Sequence, residues 1–234
     1  MSFIIECGFG KIYKLKNGNI KKQIKNVDIY KTINDIPSEI YFLDLLKDVD
    51  GTVKIEKYTK DNKNRYNIIM KENIGFIDLF NFINDYKIDE DIIKKILKNI
   101  ITTNYKYYKL YNVFHGDLKD ENILIHPNTL ETVMIDFGFT DYFRDKIDDT
   151  CFYGTRSFVP PEFKSCYTND HKLFSWTFGI LAYTLATGNE PTINNILDEN
   201  KFSNKFIDLI KQCLNNDFDK RINIEEIYNH HFFI

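Results

Sequence analysis

Cysteine is scarce and scattered in this chain of 234 residues: Cys7, Cys151, Cys166 and Cys213 stand far apart, and no pair forms a C-x-x-C. That spacing excludes a zinc ribbon and a disulfide framework and fits a reducing compartment. No apolar run approaches the roughly 20 residues that cross a bilayer. The N-terminal Met-Ser-Phe-Ile-Ile-Glu-Cys has no basic stretch and only a short apolar one, so no signal peptide is expected. Residue 2 is Ser and the chain ends His-Phe-Phe-Ile, so the myristoyl and prenyl signals are missing too. Nor is there an excess of one charge: 31 Lys and Arg against 34 Asp and Glu leave −3. Neither nucleic acid nor an anionic membrane is given a reason to bind. Internal repeats and low-complexity linkers are absent as well. The expectation is a cytoplasmic protein, of a host cell or a virion, with no nucleic-acid and no membrane partner.

What is present can build a core. Hydrophobic residues make up 43% and aromatics 15% of a chain long enough for one to two domains. Heavy use of Ile, Asn and Lys points to an AT-rich genome, such as that of a large DNA virus or a parasite. The first quarter reads as short strands, with Ile12–Leu15 and Ile20–Ile24 flanking the turn signal Asn17-Gly18. Pro37 opens a helix with Glu39, Leu43 and Leu46 on one face. Strands are predicted over Val53–Tyr58 and Tyr66–Met70, joined by the polar loop 60–64. From Asp89 onward, Ile92, Ile93, Ile96, Leu97, Ile100 and Ile101 form a helical apolar stripe. Leu173 to Thr187 is apolar nearly all round and predicts a buried helix, ended by Gly188 with Pro191 beyond. Phe206–Leu214 and Ile224–Tyr228 read as short amphipathic helices.

Two strings carry chemistry. His115-Gly116-Asp117-Leu118-Lys119-Asp120-Glu121-Asn122 puts a carboxylate, an ammonium and a carboxamide on one short loop, and Ile135-Asp136-Phe137-Gly138 follows soon after. Together they read as an apparatus for moving the γ-phosphoryl group of ATP to a hydroxyl. Asp117 would accept or orient the hydroxyl proton and Lys119 would steady the moving phosphoryl group. Asn122 and Asp136 would hold Mg2+ between the phosphates.

These strings resemble those of eukaryotic-type protein kinases, and the chain is most similar to the Pim group of Ser/Thr kinases. Further stretches that carry the resemblance are residues 78–83 (D-L-F-N-F-I), 154–163 (G-T-R-S-F-V-P-P-E-F), 176–183 (W-T-F-G-I-L-A-Y) and 222–233. It covers the chain from about Ile5 onward. The resemblance implies that Glu162 pairs with Arg221, tying the substrate-binding segment to the terminal helices. It implies that His115 stacks in the core with Phe137 and Leu43 rather than acting as a base. His230 and His231 read as helix-cap or packing residues, not as metal ligands.

The departures are mostly near the N-terminus. The phosphate-covering loop should read G-x-G-x-x-G-x-V, and residues 5–12 keep the last glycine, Gly10, followed by Ile12. Ile5 and Cys7 replace the first two glycines, and Gly8 offers some backbone freedom one position later. The phosphate-pairing lysine is Lys22 or Lys21, depending on register. A two-residue Asn17-Gly18 turn pairs Lys14 with Lys21, a three-residue loop pairs Lys14 with Lys22, and only the latter puts Lys22 on the face of Ile12. Glu39 is the matching acid. Gly116 replaces the arginine of the usual H-R-D, so activity is expected to be independent of phosphorylation at Thr150 or Tyr153. Phe174 stands where many kinases carry an Asp. Met70 is expected at the gatekeeper position, before a hinge over Lys71–Gly75 that includes Glu72. Asp78 is expected to contact the ribose or a basic substrate side chain, and Glu121 an arginine of the peptide.

The expected fold is therefore α+β and bilobal: a small strand-rich N-lobe with one helix over residues 1–74, and a larger, mainly helical C-lobe over 75–234. The expected activity is ATP-dependent phosphorylation of protein Ser or Thr in a basic context by a monomer. Lys119 and Gly154-Thr155 favour Ser/Thr over Tyr specificity. The alternative is a pseudokinase that serves as a binding or scaffold module. Small-molecule phosphorylation is disfavoured by the segment Gly154 to Glu162.

Overall fold

The structure, a computed structural model, describes residues 2–7, 10–24, 31–144, 158–162, 170–191, 197 and 200–234. Gly8, Thr150, Cys151, Tyr153, Gly154, Thr155 and Cys166 lie outside the described residues.

The chain opens with strands β1 (Ser2–Cys7), β2 (Gly10–Lys14) and β3 (Ile20–Ile24). A two-stranded hairpin, β4 (Thr32–Ile33) and β5 (Ile36–Pro37), leads into helix α1 (Ser38–Leu45), and β6 (Ile55–Lys60) and β7 (Tyr66–Met70) follow. Strands β1, β2, β3, β7 and β6, in that order, form one antiparallel sheet. β7 is buried from Tyr66 to Ile69, with its one polar member, Asn67, accepting from the Gln23 side-chain amide at 2.9 Å, whereas the edge strand β6 is mostly exposed and carries Lys57 and Lys60. Pro37 is the residue before α1 rather than its first helical residue.

The β2–β3 register differs from both expected alternatives. Leu15 N–H bonds to the Asn19 carbonyl at 2.8 Å, which closes a loop over residues 16–18 and sets Lys14 opposite Ile20 and Ile12 opposite Lys22. Gly18 at φ +86° supplies the left-handed residue that a loop of this length needs. The loop has three residues, as in the second alternative, but begins one residue earlier, so that Gly18 ends it instead of sitting in its middle. Lys22 nevertheless shares a face with Ile12, since directly opposed residues point the same way.

The remainder is mainly helical. β8 (Ile77–Asp78), α2 (Leu79–Asp85) and α3 (Glu90–Tyr111) precede β9 (Val113–Phe114), β10 (Ile123–Ile125), β11 (Thr132–Met134) and β12 (Asp141–Tyr142). Then come α4 (Asp170–Thr187), α5 (Asn204–Cys213) and α6 (Ile224–Tyr228). Asp89 caps α3 by accepting from Ile92 N–H at 3.0 Å, and Ile93, Ile96, Leu97, Ile100 and Ile101 are all buried, as their spacing requires. α4 crosses α5 so closely that a Cβ at Gly179 would lie 2.7 Å from the Cys213 Cβ. α6 opens with a capping box between Asn223 and Glu226.

One core cluster runs from Ile24 to Phe233 and joins the sheet to the helices. Backbone bonds stitch the two regions together: Met134 N–H donates to Gly51 at 2.7 Å and Val53 N–H to Met134 at 3.1 Å. The buried hydroxyls of Thr52 and Tyr107 bond at 2.7 Å beside them. This seam fixes β10 and β11, and the loops at their ends, against the sheet that carries Lys22.

Candidate active site

β3 delivers Lys22 and α1 delivers Glu39, both almost fully buried. The Lys22 ammonium lies 2.6 Å from Glu39 Oε1 and 2.8 Å from Asp136 Oδ1, the latter 114 positions away in sequence. Burial alone would lower the lysine's pKa. The carboxylates of Glu39 and Asp136 more than reverse that, so the group stays charged. Asp136 shows the mirror image: burial favours its neutral form, but Lys22 holds its pKa below the usual carboxylate value. Burial raises the pKa of Glu39, offset in part by Lys22. Lys21, the alternative lysine, instead lies over the Tyr13 ring at 4.5 Å and makes no such pair among the described residues.

Asn122 ends a short 3-10 turn, Asp120–Asn122, and Asp117 lies just ahead of it. The Asn122 side-chain amide donates to Asp117 Oδ2 at 2.8 Å and to the Asp117 carbonyl at 2.9 Å, which sets the carboxylate's rotamer. Lys119 sits 3.5 Å from Asp117 and 3.4 Å from Glu121. Half-burial lowers its pKa, but those acids raise it on balance, so it remains an ammonium. His115 is buried and held neutral by burial. Its Nδ1 accepts from Asp117 N–H at 3.4 Å, so Nε2 carries the proton and donates to the Ile135 carbonyl at 2.9 Å. With the Phe137 ring 4.9 Å away and Leu43 in the same core cluster, its contacts are those of a scaffold residue.

Two backbone features shape the loops. Gly116 has φ +83°, and a Cβ there would collide with the Phe139 carbonyl, so arginine is excluded at this position by shape. Asp136 adopts φ +62°, a left-handed conformation that a non-glycine residue seldom holds without cause. In that conformation its carboxylate is turned onto Lys22.

Other predicted positions divide. Met70 ends β7, opposite Ile20 of β3. Gly10 packs so tightly on β3 that a Cβ would strike the Gln23 carbonyl. Glu72 bonds to Lys14 at 2.6 Å, which fastens β2 to the segment after β7. Asp78 caps α2 with both oxygens, accepting from Asn81 N–H and from the Asn81 amide, each at 2.7 Å. Glu162 meets Arg221 in a fork, at 2.6 and 2.8 Å. His230 caps the terminal turn by accepting from Phe232 N–H at 3.2 Å.

The donor set suits a hard divalent cation. Asp136 contributes a carboxylate, and Asn122 has its amide nitrogen engaged by Asp117, leaving the amide oxygen as its metal-binding atom. Sequence reasoning missed the direct Lys22–Asp136 pair and the Asn122–Asp117 tie. No local pattern signals the first, which is made across the fold; the second joins residues only five positions apart.

Residues 6–233 match the protein kinase domain family. The serine/threonine-protein kinase prk-2 of Caenorhabditis elegans is 31% identical over 246 aligned positions, covering 95% of this chain and 55% of the relative. The chain thus spans about half the length of that protein. The serine/threonine-protein kinase pim-2 of Danio rerio is 29% identical, with 95% of this chain and 80% of that one covered. Serine/threonine-protein kinase 1 of African swine fever virus is 28% identical over 87% of this chain and 71% of its own length. Among solved structures, the Cydia pomonella granulovirus kinase PK-1 superposes with a TM-score of 0.80 at 21% identity, over all of this chain and 93% of that one. The architecture described above is the bilobal protein kinase fold.

Proposed function

The chain belongs to the protein kinase domain family, and we propose that it transfers the γ-phosphoryl group of ATP to serine or threonine hydroxyls of proteins. One observation carries the reading: a single buried ammonium bonded to Glu39 and Asp136 at once, beside an Asp117 oriented by Asn122. In that arrangement Lys22 supplies positive charge to the nucleotide phosphates, and Glu39 keeps it aimed at them. Asp117 takes the hydroxyl proton, while Lys119 neutralises charge on the moving phosphoryl group. Asp136 and Asn122 would hold Mg2+. When bound, that ion would screen the phosphates from each other and orient the terminal one. A scaffold without turnover has no use for this full complement of buried charge.

The substrate reading follows the acids. Asp78 is engaged in capping α2. Basic preference is therefore assigned to Asp120 and Glu121 on the catalytic loop. The pKa of Asp120 is raised, first by burial and then by the nearby Glu121 and Glu190 carboxylates, and an incoming arginine would relieve that repulsion. We assign residues 1–74 to the N-lobe and 75–234 to the C-lobe, and expect a cytoplasmic monomer. No helix among the described residues is long and apolar enough to cross a membrane.

The test is a radiolabelled-ATP assay on the purified full chain, with a basic Ser peptide and magnesium, run beside Asp117→Asn. Transfer by the wild type and its loss in the variant are expected. Equal rates in the two, or no transfer to any Ser or Thr peptide, would sink the proposal.

A further inference from the structure

Helix α1 carries a frustrated group. Glu39 is about 1% exposed, yet its Oε2 has no hydrogen-bond partner among the described residues. A buried carboxylate with one oxygen unsatisfied favours any motion that returns it to water. Swinging α1 outward would do that and would break the Lys22–Glu39 pair. Something must hold the helix in.

The holding contacts come from β12 and close on α1 on both sides of Glu39. The Lys31 carbonyl accepts from Ser38 N–H, the first helical residue, at 2.8 Å. The same residue's ammonium grips Asp141 with both carboxylate oxygens at 2.7 Å. Between Lys31 and α1 the β4–β5 hairpin turns through Asn34 and Asp35, at φ 52° and 62°, a tight geometry that leaves little slack. Two residues after Glu39, the Tyr41 hydroxyl shares a 2.8 Å hydrogen bond with that of Tyr142, and the Tyr142 ring meets buried Phe42 edge-on at 5.4 Å.

β12 is itself anchored in the C-lobe. It pairs with β9, directly before the catalytic loop, and Phe143 N–H bonds to the Asn112 carbonyl at 2.8 Å. The path from catalytic loop to phosphate-pairing lysine is thus β9, β12, α1, Lys22, all through unmodified side chains and backbone.

We propose that Asp141 and Tyr142 form, with Lys31 and Tyr41, a built-in clamp that holds α1 in place, making these four positioning residues for Lys22. The clamp supplies the ordering that an arginine at position 116 cannot, since Gly116 leaves no room for one. Only the activity arm of the test rests on the phosphotransfer reading.

The experiment compares dephosphorylated wild type, Tyr142→Phe, Asp141→Asn and the double variant, by amide hydrogen exchange and by steady-state kinetics. In the double variant the α1 amides of Ile40 to Leu45 should exchange about five- to thirtyfold faster, with α3 amides unchanged. kcat should fall by a similar factor at constant peptide KM, because the lysine is displaced and the peptide site is not. Tyr41→Phe added to Tyr142→Phe should cost nothing further, as both remove one bond. Lys31→Met, at an exposed position, provides a variant with no folding risk and should loosen α1 in the same direction. Unchanged α1 protection in the double variant overturns the clamp, and lost protection with an unchanged kcat overturns its positioning role. A wild type without phosphotransfer defeats the functional reading instead, and the exchange data still decide the clamp.

Discussion

Replacing Arg221 by alanine should be the most damaging single change outside the catalytic loop, and its cost can be worked from contacts. The guanidinium is about 1% exposed. It holds Glu162 through two bonds, donates from Nε to the Asn215 carbonyl at 3.0 Å and from Nη1 to the Lys172 carbonyl at 3.2 Å, and lies 4.7 Å over the Trp176 ring. Glu162 is half-buried, with its side chain 9% exposed. Alanine would take the forked guanidinium from that carboxylate, a loss of about 3–5 kcal/mol. For a domain of this size each kcal/mol moves Tm by roughly 2–4 °C, so a drop of about 6–20 °C is expected. Arg221→Lys keeps the charge but lacks the planar fork, and should recover only part of the loss. Adding Glu162→Gln to Arg221→Ala neutralises the stranded acid and should raise Tm again. Thermal melts and urea titrations of the four proteins decide the matter. A loss under about 1 kcal/mol for Arg221→Ala, or no recovery with Glu162→Gln, would refute the claim that a desolvated carboxylate sets the penalty.

Asp136→Asn should abolish phosphotransfer while Tm stays within a few degrees, because Asn tolerates the left-handed backbone at φ 62° but is a poor magnesium ligand; turnover near the wild-type rate would remove Asp136 from the mechanism. Gly116→Ala should cost about 1–2 kcal/mol for its left-handed φ alone, and more for the clash with the Phe139 carbonyl. An alanine variant that melts with the wild type would show that the loop relaxes freely. Burial keeps the pKa of His115 in the folded protein below the ordinary 6.5, so the unfolded chain binds more protons below that pH. Its stability contribution is present above about pH 6.5 and lost as pH falls, and His230 adds to this in the same direction. Tm measured from pH 7.5 to 5.5 should therefore decline, and a flat profile in that window would contradict a neutral, buried His115.

Much of this was legible along the chain because it is local. The catalytic loop and the Asp136 turn are recognisable from side chains a few residues apart, since the chemistry needs those groups on one short segment. α3 was readable because its stripe of isoleucines repeats at the helical period and must be buried on one side. Asp89 before it and Asn223 before α6 carry cap signals that act through neighbouring amides. Asp78 carries the same kind of signal, and its carboxylate caps α2 through Asn81.

The tertiary structure decided whatever depended on which segments meet. The β2–β3 register turned on whether Gly18 stands inside or at the end of its loop, a backbone detail that many sequences around Asn-Gly can satisfy. Lys22 is separated from Lys21 only by burial, because adjacent strand residues face opposite sides and just one side closes over Glu39 and Asp136. The contact of Asp136 with Lys22, and those of Lys31 and Tyr41 with β12, join residues more than a hundred positions apart. No periodicity or propensity encodes such pairs: their free energy arises only once packing has removed water from between them. The sequence determined that the catalytic groups exist and that their loops have the required form. Packing of α1 between the sheet and β12 determined which lysine they work with and what keeps it there.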